Sequence, residues 1–371
     1  GPGGPEVSSR VFRVIGGGLI GRLVALGLVR QGHRVSLYDQ GDPSGRTAAA
    51  HVAAAMLAPY AESVEAEPEV VALGLESLNL WPELLKRLPG DIFFQKNGTL
   101  VVWHSSDKDQ AVQFGQRLHH LQGSLSSDAG PQSLDRWGIA QLEPQLGDRF
   151  QQGIFLPSEG QLDNRALLLA LAEALVSEGV ALHWGETRDP SAFGDDWVID
   201  CRGMGAKPAW SSLRGVRGEV VRVETPEVSL GRPVRLLHPR YPLYIAPKPN
   251  GVFVIGATQI ETEDYSPASV RSALELLSAL YTVHPGFGEA RILEIVSQCR
   301  PALPDNAPEI RWDGRKTVRI NGLYRHGYLM APAIMKAALA LVDQLLMDPN
   351  TDDAWRQGTP FPHLYHLNQA A

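Results

Sequence analysis

The 371-residue chain is 44% hydrophobic and 20% charged, with a formal net charge of −7. That balance fits a globular enzyme of one large domain or two interleaved ones, and no basic stripe interleaved with aromatics points to nucleic acid. Cys201 and Cys299 are the only cysteines, which excludes a disulfide framework and a cysteine-rich metal site and reads as a reducing, cytoplasmic setting.

No uninterrupted apolar run reaches the length of a membrane span; the longest candidate, 332–347, contains Lys336 and Asp343. The first ten residues, GPGGPEVSSR, lack a methionine and read as a cleavage scar with a loose arm, outside the fold. Residues 14–39, VIGGGLIGRLVALGLVRQGHRVSLYD, read as strand, glycine turn, amphipathic helix, second strand and terminal acid. Gly16, Gly18 and Gly21 fall at G-x-G-x-x-G spacing. Gly16 permits the tight turn, Gly18 admits a pyrophosphate, and Gly21 lets helix and strand pack closely. The free N–H groups of the helix start then face the phosphates, and Asp39 is placed to accept from ribose hydroxyls. NAD and FAD fit this unit equally well.

An alanine-rich stretch follows at 48–59, then a helix at 69–88. FFQKNGTLVVW (93–103) predicts a hairpin turning on Asn97-Gly98. Asp163 is a candidate N-cap for the next helix, followed by the strand VALHWG, and WVIDCRGMG (197–205) reads as a buried strand ending in glycines. From Arg217 the character becomes β: GEVVRVE, PLYIAPK and GVFVIGAT, the last two joined at Asn250-Gly251. Residues 266–285 predict a helix opened by Ser266-Pro267, Asp313-Gly314 turns another hairpin, and a helix at 332–347 closes the pattern. The order predicts a discontinuous dinucleotide domain (11–90, 155–215 and 305–348), a second domain of antiparallel sheet and helices (91–154 and 216–304) and a tail at 349–371. A ligand cleft is expected where the two domains meet. Three features favour FAD: the glycine turn near the N-terminus, an alanine stretch able to lie along a flat ring, and a glycine-flanked helix start between Gly327 and Pro332.

Four segments together resemble the D-amino acid oxidase-like flavoprotein amine oxidases, and among them the glycine oxidases of thiamine biosynthesis. They are VIGGGLIG with Asp39; GRTAAAHVAAAMLAPYAE (45–62), which departs from the family in a few extra residues including His51; PLYIAPK with GVFVIGAT (242–258); and CRPALPDNAPEI with INGLYRHGYLMAPA (299–333). The resemblance implies an α/β fold in which a Rossmann-like FAD domain of the glutathione reductase type is interleaved with an antiparallel α+β substrate domain. It implies that Arg300 and Tyr244 hold the carboxylate of an amino acid and that Arg325 stands near the flavin on the substrate side. Tyr241 is the fallback for Tyr244. It implies an FAD site drawn from Gly16, Gly18, Gly21, Asp39, Arg46, Thr47, Ala54, Ala55, Met56, Leu57, Cys201, Gly203, Gly205, Arg300, His326, Gly327, Tyr328, Leu329 and Met330. His326 stands where the family pattern has asparagine.

The implied reaction is oxidative deamination of a small amino acid, glycine foremost, by FAD and molecular oxygen. Its products are an imine or oxo acid, ammonia and hydrogen peroxide, and the imine is the species that thiazole synthesis would consume. The same motifs serve sarcosine-type and D-amino acid oxidases or dehydrogenases, and a flavoprotein assembly partner with little turnover is the alternative of another class. Cys299 lies near the position where sarcosine oxidases carry a flavin-bonding cysteine, but the residues after it differ, so FAD is expected to be non-covalent. No H-x-x-x-H, C-x-x-C or His/Asp/Glu cluster suggests a metal. No membrane partner is expected, and a homo-oligomer is left open.

Overall fold

The structure, a computed structural model, describes residues 9–63, 66–122 and 130–367. The first strand, Val11–Ile15, feeds the helix Leu19–Arg30 and returns as Arg34–Asp39, parallel to the first. The glycines set the contact between them. Gly16 has φ +104, and a Cβ there would lie 2.3 Å from the Cys201 carbonyl oxygen; a Cβ on Gly21 would lie 1.8 Å from the Gly16 oxygen. No other residue fits either place.

Seven strands form the sheet around this unit, in the order Tyr365–His366, Glu309–Trp312, Thr317–Asn321, Trp197–Asp200, Val11–Ile15, Arg34–Asp39 and Ala181–Trp184. The central strands run parallel, as helix crossovers require. Glu309–Trp312 is antiparallel to its neighbour across the turn at Asp313-Gly314. Tyr365–His366, in the segment after residue 348, adds the edge strand, and Tyr365 is buried in the core of this layer.

The second sheet has eight strands and is mostly antiparallel. Its order is Arg291–Ala302, Arg214–Glu224, Val252–Gly256, Leu243–Pro247, Val234–Leu237, Thr99–Trp103, Gln152–Leu156 and Gln132–Asp135. Asn250, at φ 65, and Gly251 turn the hairpin between Leu243–Pro247 and Val252–Gly256. The helix Val270–Val283 covers one face through Leu276, Leu280 and Val283. A small third sheet, Met56–Leu57, Gly160–Leu162 and Phe94–Gln95, lies between the two large ones.

The ladder between Arg214–Glu224 and Arg291–Ala302 joins the layers. It pairs all eleven residues of the first strand, with one irregularity at Arg222/Val223. Its far end reaches the first layer: Leu303 packs with Trp210 and Leu213, and a Cβ on Gly203 would meet the Pro301 ring at 3.9 Å.

Three sequence expectations are corrected. Residues 93–103 are not a hairpin: Phe94–Gln95 pairs with Gly160–Leu162, whereas Thr99–Trp103 pairs with Val234–Leu237 and Gln152–Leu156. Gly98 does turn the chain, at φ +82, but its N–H donates to the Glu159 carbonyl, so the turn passes the chain from one sheet to another. The helix expected from Ser266-Pro267 starts later, at Val270, because the Ser269 hydroxyl accepts from the Ser272 N–H and forms the cap. The last helix starts earlier, at Gly327, with Pro332 inside it. Proline there frees the Tyr328 carbonyl, and Trp81 Nε1 donates to it at 2.9 Å; the Ala333 N–H is taken up by the Ser77 hydroxyl at 3.0 Å. With its leading turn, this helix is the one described helix long and apolar enough to cross a membrane. Leu329, Ile334, Ala338, Leu341 and Leu345 instead bury it in the first core, at ~1.5–3 kcal/mol for each large side chain.

Candidate active site

A cleft of about 1110 Å³ runs between the two large sheets. One end is the glycine turn. Gly16, Gly18 and Asp39 line it, and a Cβ on Gly18 would meet only the Ala48 Cβ, at 3.7 Å. The Asp39 carboxylate accepts from the Gly17 N–H and the Gly41 N–H, both at 2.8 Å. These bonds fix the acid at the strand end. Beneath the turn, the fully buried Arg22 donates to the carbonyls of Gly17, Pro43 and Leu168 at 2.7–2.8 Å.

The middle of the cleft is walled by Thr47, Ala54, Ala55 and Met56 on one side and by Cys201, Gly203 and Gly205 on the other. Lys248 holds the alanine wall from behind. Its ammonium donates to the Ala54 carbonyl at 2.6 Å, the Leu162 carbonyl at 2.7 Å and Gln161 Oε1 at 3.0 Å, while burial pushes its pKa down to about 7. Gly327 and Tyr328 present the start of the long last helix to the same space, and nothing lies within 4 Å of a Cβ placed on Gly327. An open turn over free N–H groups, a fixed acid and a helix N-terminus facing the middle of a long cleft fit a flavin dinucleotide.

The inner end carries the charge. Arg235, Arg300 and Arg325 all reach it, with Tyr244, Thr258 and Glu62. Arg300 projects from Arg291–Ala302, and its Nη1 donates to the Thr258 carbonyl at 3.3 Å. Among the described residues it forms no ion pair. Tyr244 is half-buried, and burial pushes its hydroxyl up to about 12, so it stays a donor at working pH. Two strand glycines make the room: a Cβ on Gly218 would lie 2.3 Å from Arg300 Nη2, and one on Gly256 would lie 2.3 Å from Tyr244 Oη.

Glu62 sits on the turn Pro59–Ser63, whose Tyr60 and Ala61 N–H groups donate to Glu159 Oε2 at 2.8 and 3.1 Å. Glu62 pairs with Arg235, and its Oε2 lies 3.5 Å from Arg325 Nε and 3.6 Å from His326 Nδ1. Burial alone would raise its pKa, but Arg235, Arg325 and His326 outweigh it and hold the carboxyl at about 2. His326 is pushed down to about 3, mainly by burial, so the imidazole is neutral.

Of the residues expected from sequence, Gly16, Gly18, Asp39, Thr47, Ala54, Ala55, Met56, Cys201, Gly203, Gly205, Tyr244, Arg300, Arg325, Gly327 and Tyr328 meet along this one cleft. Others stand off its wall. Arg46 is exposed beside it. Leu57, Leu329 and Met330 are core residues behind it, Gly21 serves the helix–strand contact, and His326 is buried against Glu62. Tyr241 lies at the outer mouth, 37% exposed. Glu62 and Arg235 were not singled out from sequence. The available signals were an arginine inside the apolar strand Val234–Leu237 and two glycines inside strands.

A family model described as FAD dependent oxidoreductase (DAO) matches residues 13–341. A Rhizobium etli protein bearing the name thiamine biosynthesis oxidoreductase ThiO is 43% identical over 321 residues, which are 86% of this chain and 93% of that protein. The glycine oxidase of Geobacillus kaustophilus is 26% identical over 346 residues, 86% of this chain and 89% of the other. The crystal structure of glycine oxidase from that organism superposes with a TM-score of 0.78 at 24% identity, covering 91% of this chain and 95% of that one. Motif, cleft and likeness agree: the chain belongs to the FAD dependent oxidoreductase family of D-amino acid oxidase type.

Proposed function

We propose that this enzyme oxidises a small amino acid, glycine foremost, by the balanced reaction glycine + O2 + H2O → glyoxylate + NH3 + H2O2, and that its imine product serves thiazole formation in thiamine synthesis. The observation that carries this reading is Arg300. It is a cleft arginine with no acid partner among the described residues, and it stands with Tyr244 at the inner end of a dinucleotide-shaped cleft. A planar guanidinium fork matches a carboxylate through two parallel hydrogen bonds, and the Tyr244 hydroxyl adds a third donor. FAD, when bound, supplies the two-electron acceptor.

The chain's own residues position the substrate and set its charge. With the carboxylate pinned at Arg300 and Tyr244, the amino acid is held by one end and its Cα is presented to the middle of the cleft. The amine must be neutral for oxidation. The guanidiniums of Arg235, Arg300 and Arg325 at the inner end disfavour an ammonium beside them and lower the substrate's pKa. No side chain then has to act as a strong base; His326 is neutral and buried against Glu62.

We assign Arg300 and Tyr244 to the carboxylate, and the turn, the alanine wall and the Gly327 helix start to FAD. We divide the domains at 11–90, 155–215 and 305–348 for the cofactor and 91–154 and 216–304 for the substrate. A cytoplasmic setting is supported by two unpaired, buried cysteines. The test is anaerobic mixing of the yellow protein with glycine. Bleaching of the flavin band, then peroxide and glyoxylate on admitting oxygen, is expected. A flavin band that no small amino acid bleaches would defeat the proposal.

A further inference from the structure

The strand Val252–Gly256 pairs with Arg214–Glu224 in regular antiparallel register as far as Ile255 opposite Val221. The chain then meets the same strand again at Ile260, opposite Arg217, where each N–H donates to the other's carbonyl at 2.8 and 2.9 Å. Val221 and Arg217 are four positions apart, Ile255 and Ile260 five, so one extra residue bulges between the two pairs. Continued regularly from Arg217 and Ile260, the next hydrogen-bonded pair is Glu219 with Thr258, and the Glu219 N–H belongs on the Thr258 carbonyl. It goes instead to the Thr258 hydroxyl at 2.9 Å, and that hydroxyl donates to Glu219 Oε1 at 2.9 Å. The carbonyl so released accepts from Arg300 Nη1 at 3.3 Å.

We propose that Thr258 and Glu219 are positioning residues for the substrate arginine: the Thr258 hydroxyl stands in for its own carbonyl in the ladder, Glu219 locks the exchange, and the freed carbonyl aims Arg300. This rests on the carboxylate role given to Arg300 above and deepens it. Side chains of Ser and Thr can compete with the backbone for ladder hydrogen bonds, and here both roles of the hydroxyl, acceptor and donor, are met by one residue. Glu219 is 1% exposed. Its Oε2 lies 3.4 Å from Arg217 Nη2, and Arg217 is itself tied to the carbonyls of Asp264, Ser266 and Pro267 at 2.8, 2.6 and 3.1 Å. Gly218, between them, faces the opposite side of the sheet with Val216, the cross-strand partner of Arg300, and leaves the space that the guanidinium fills. Arg300 is thus located from below by a missing side chain and at Nη1 by a carbonyl. A long side chain fixed in advance spares the arriving ligand the cost of ordering it.

The test uses the FAD-loaded enzyme with acetate, a bare carboxylate that does not turn over, its Kd read from perturbation of the flavin absorbance. Thr258→Val keeps the side chain's shape and removes the hydroxyl. It is expected to raise the acetate Kd and the KM for glycine about tenfold, with kcat changed less and FAD retained. Thr258→Ser, which keeps the hydroxyl, should recover the loss to within about threefold, and Glu219→Gln should weaken acetate in the same direction as the valine variant. Acetate bound normally by Thr258→Val, or as poorly by Thr258→Ser as by Thr258→Val, overturns the inference. Arg300→Leu is measured beside them. Unchanged acetate affinity in that variant counts against the role of Arg300 itself, whereas loss there with none in Thr258→Val counts against this inference alone. Should neither Thr258→Val nor Glu219→Gln retain FAD, a crystal structure of wild type decides. The Glu219 N–H on the Thr258 hydroxyl and the carbonyl on Arg300 sustain the inference; the N–H on the carbonyl overturns it.

Discussion

The Arg300 guanidinium lies across Gly218, on the neighbouring strand of the same ladder: a Cβ at Gly218 would sit 2.3 Å from Nη2 and 2.4 Å from Cζ. The clash falls on the far end of a flexible side chain and not on backbone. Gly218→Ala is therefore expected to fold, keep its FAD and displace the guanidinium. A rise in KM of about tenfold, with kcat altered less, corresponds to ~1.4 kcal/mol of lost carboxylate binding. Unchanged KM in Gly218→Ala would separate this glycine from the substrate.

Arg300→Leu should raise KM by two orders of magnitude or more while flavin content stays normal, since removing one partner of a desolvated charged hydrogen bond costs ~2–5 kcal/mol. Arg300→Lys should restore little, because a point charge does not reproduce the fork. Steady-state kinetics with a flavin-to-protein ratio on each preparation decides this; near-normal KM in the leucine variant removes Arg300 from the site.

Gly18→Val should give a folded but colourless protein. The protein leaves space at this position, the nearest atom to a Cβ being Ala48 Cβ at 3.7 Å, so the added side chain occupies room meant for the pyrophosphate. Circular dichroism should match wild type, and the visible spectrum should lack the flavin band. Full stoichiometric FAD in this variant would break the assignment of the turn.

His326 predicts a slope in stability. Burial is the main cause of its depressed pKa, and Arg325, Arg235 and Arg300 add to it against the pull of Glu62, bringing it to about 3. The unfolded chain takes up this proton near the ordinary value of 6.5, so its contribution is complete above that pH and is lost as pH falls toward about 3. Glu62, held at about 2 against an ordinary 4.5, has the same sign below 4.5; Glu159, raised to about 7 chiefly by burial, has the opposite sign between 4.5 and 7. Between pH 6.5 and 5 the histidine accounts for on the order of 2 kcal/mol. Urea midpoints at both pH values should drop less in His326→Asn than in wild type. Parallel drops would show that this histidine does not titrate as described.

Cys299 should not hold the flavin covalently. Its Sγ lies 3.5 Å from the Asp264 carbonyl and 3.8 Å from the Thr262 carbonyl. Burial raises its pKa, which keeps the thiol protonated and unreactive. Acid precipitation is expected to leave all yellow colour in the supernatant; colour kept in the pellet and lost in Cys299→Ala would move the chain toward the covalent branch of the superfamily.

Local signals made much of this fold legible. The first strand–helix–strand unit, the Asn250-Gly251 hairpin and the Asp313-Gly314 hairpin each depend on residues a few positions apart. The Asn97-Gly98 turn was equally clear as a turn, but its strand partners lie far along the chain and nothing nearby names them. Pro332 concealed the start of the last helix, because the groups that replace its missing bond, Trp81 and Ser77, come from another helix. The pair Arg235 and Glu62 was hidden for the same reason, its members being 173 positions apart. Arg300 and Tyr244, which line the cleft, were singled out through a family likeness. From spacing alone each would be a charged or aromatic residue in a strand.

The ladder between Arg214–Glu224 and Arg291–Ala302 has a mechanical consequence. It is unbroken from the irregularity at Arg222/Val223 to its end beside Gly203, so swinging one half of the molecule away from the other would tear backbone hydrogen bonds. The two halves form a single stiff beam, and Arg300 is riveted to it near the crossing point. The cleft wall that carries Arg300 is therefore set by the fold itself. Residues Pro239–Pro242 line the same cleft from outside this ladder, so side chains there can be exchanged without breaking the beam.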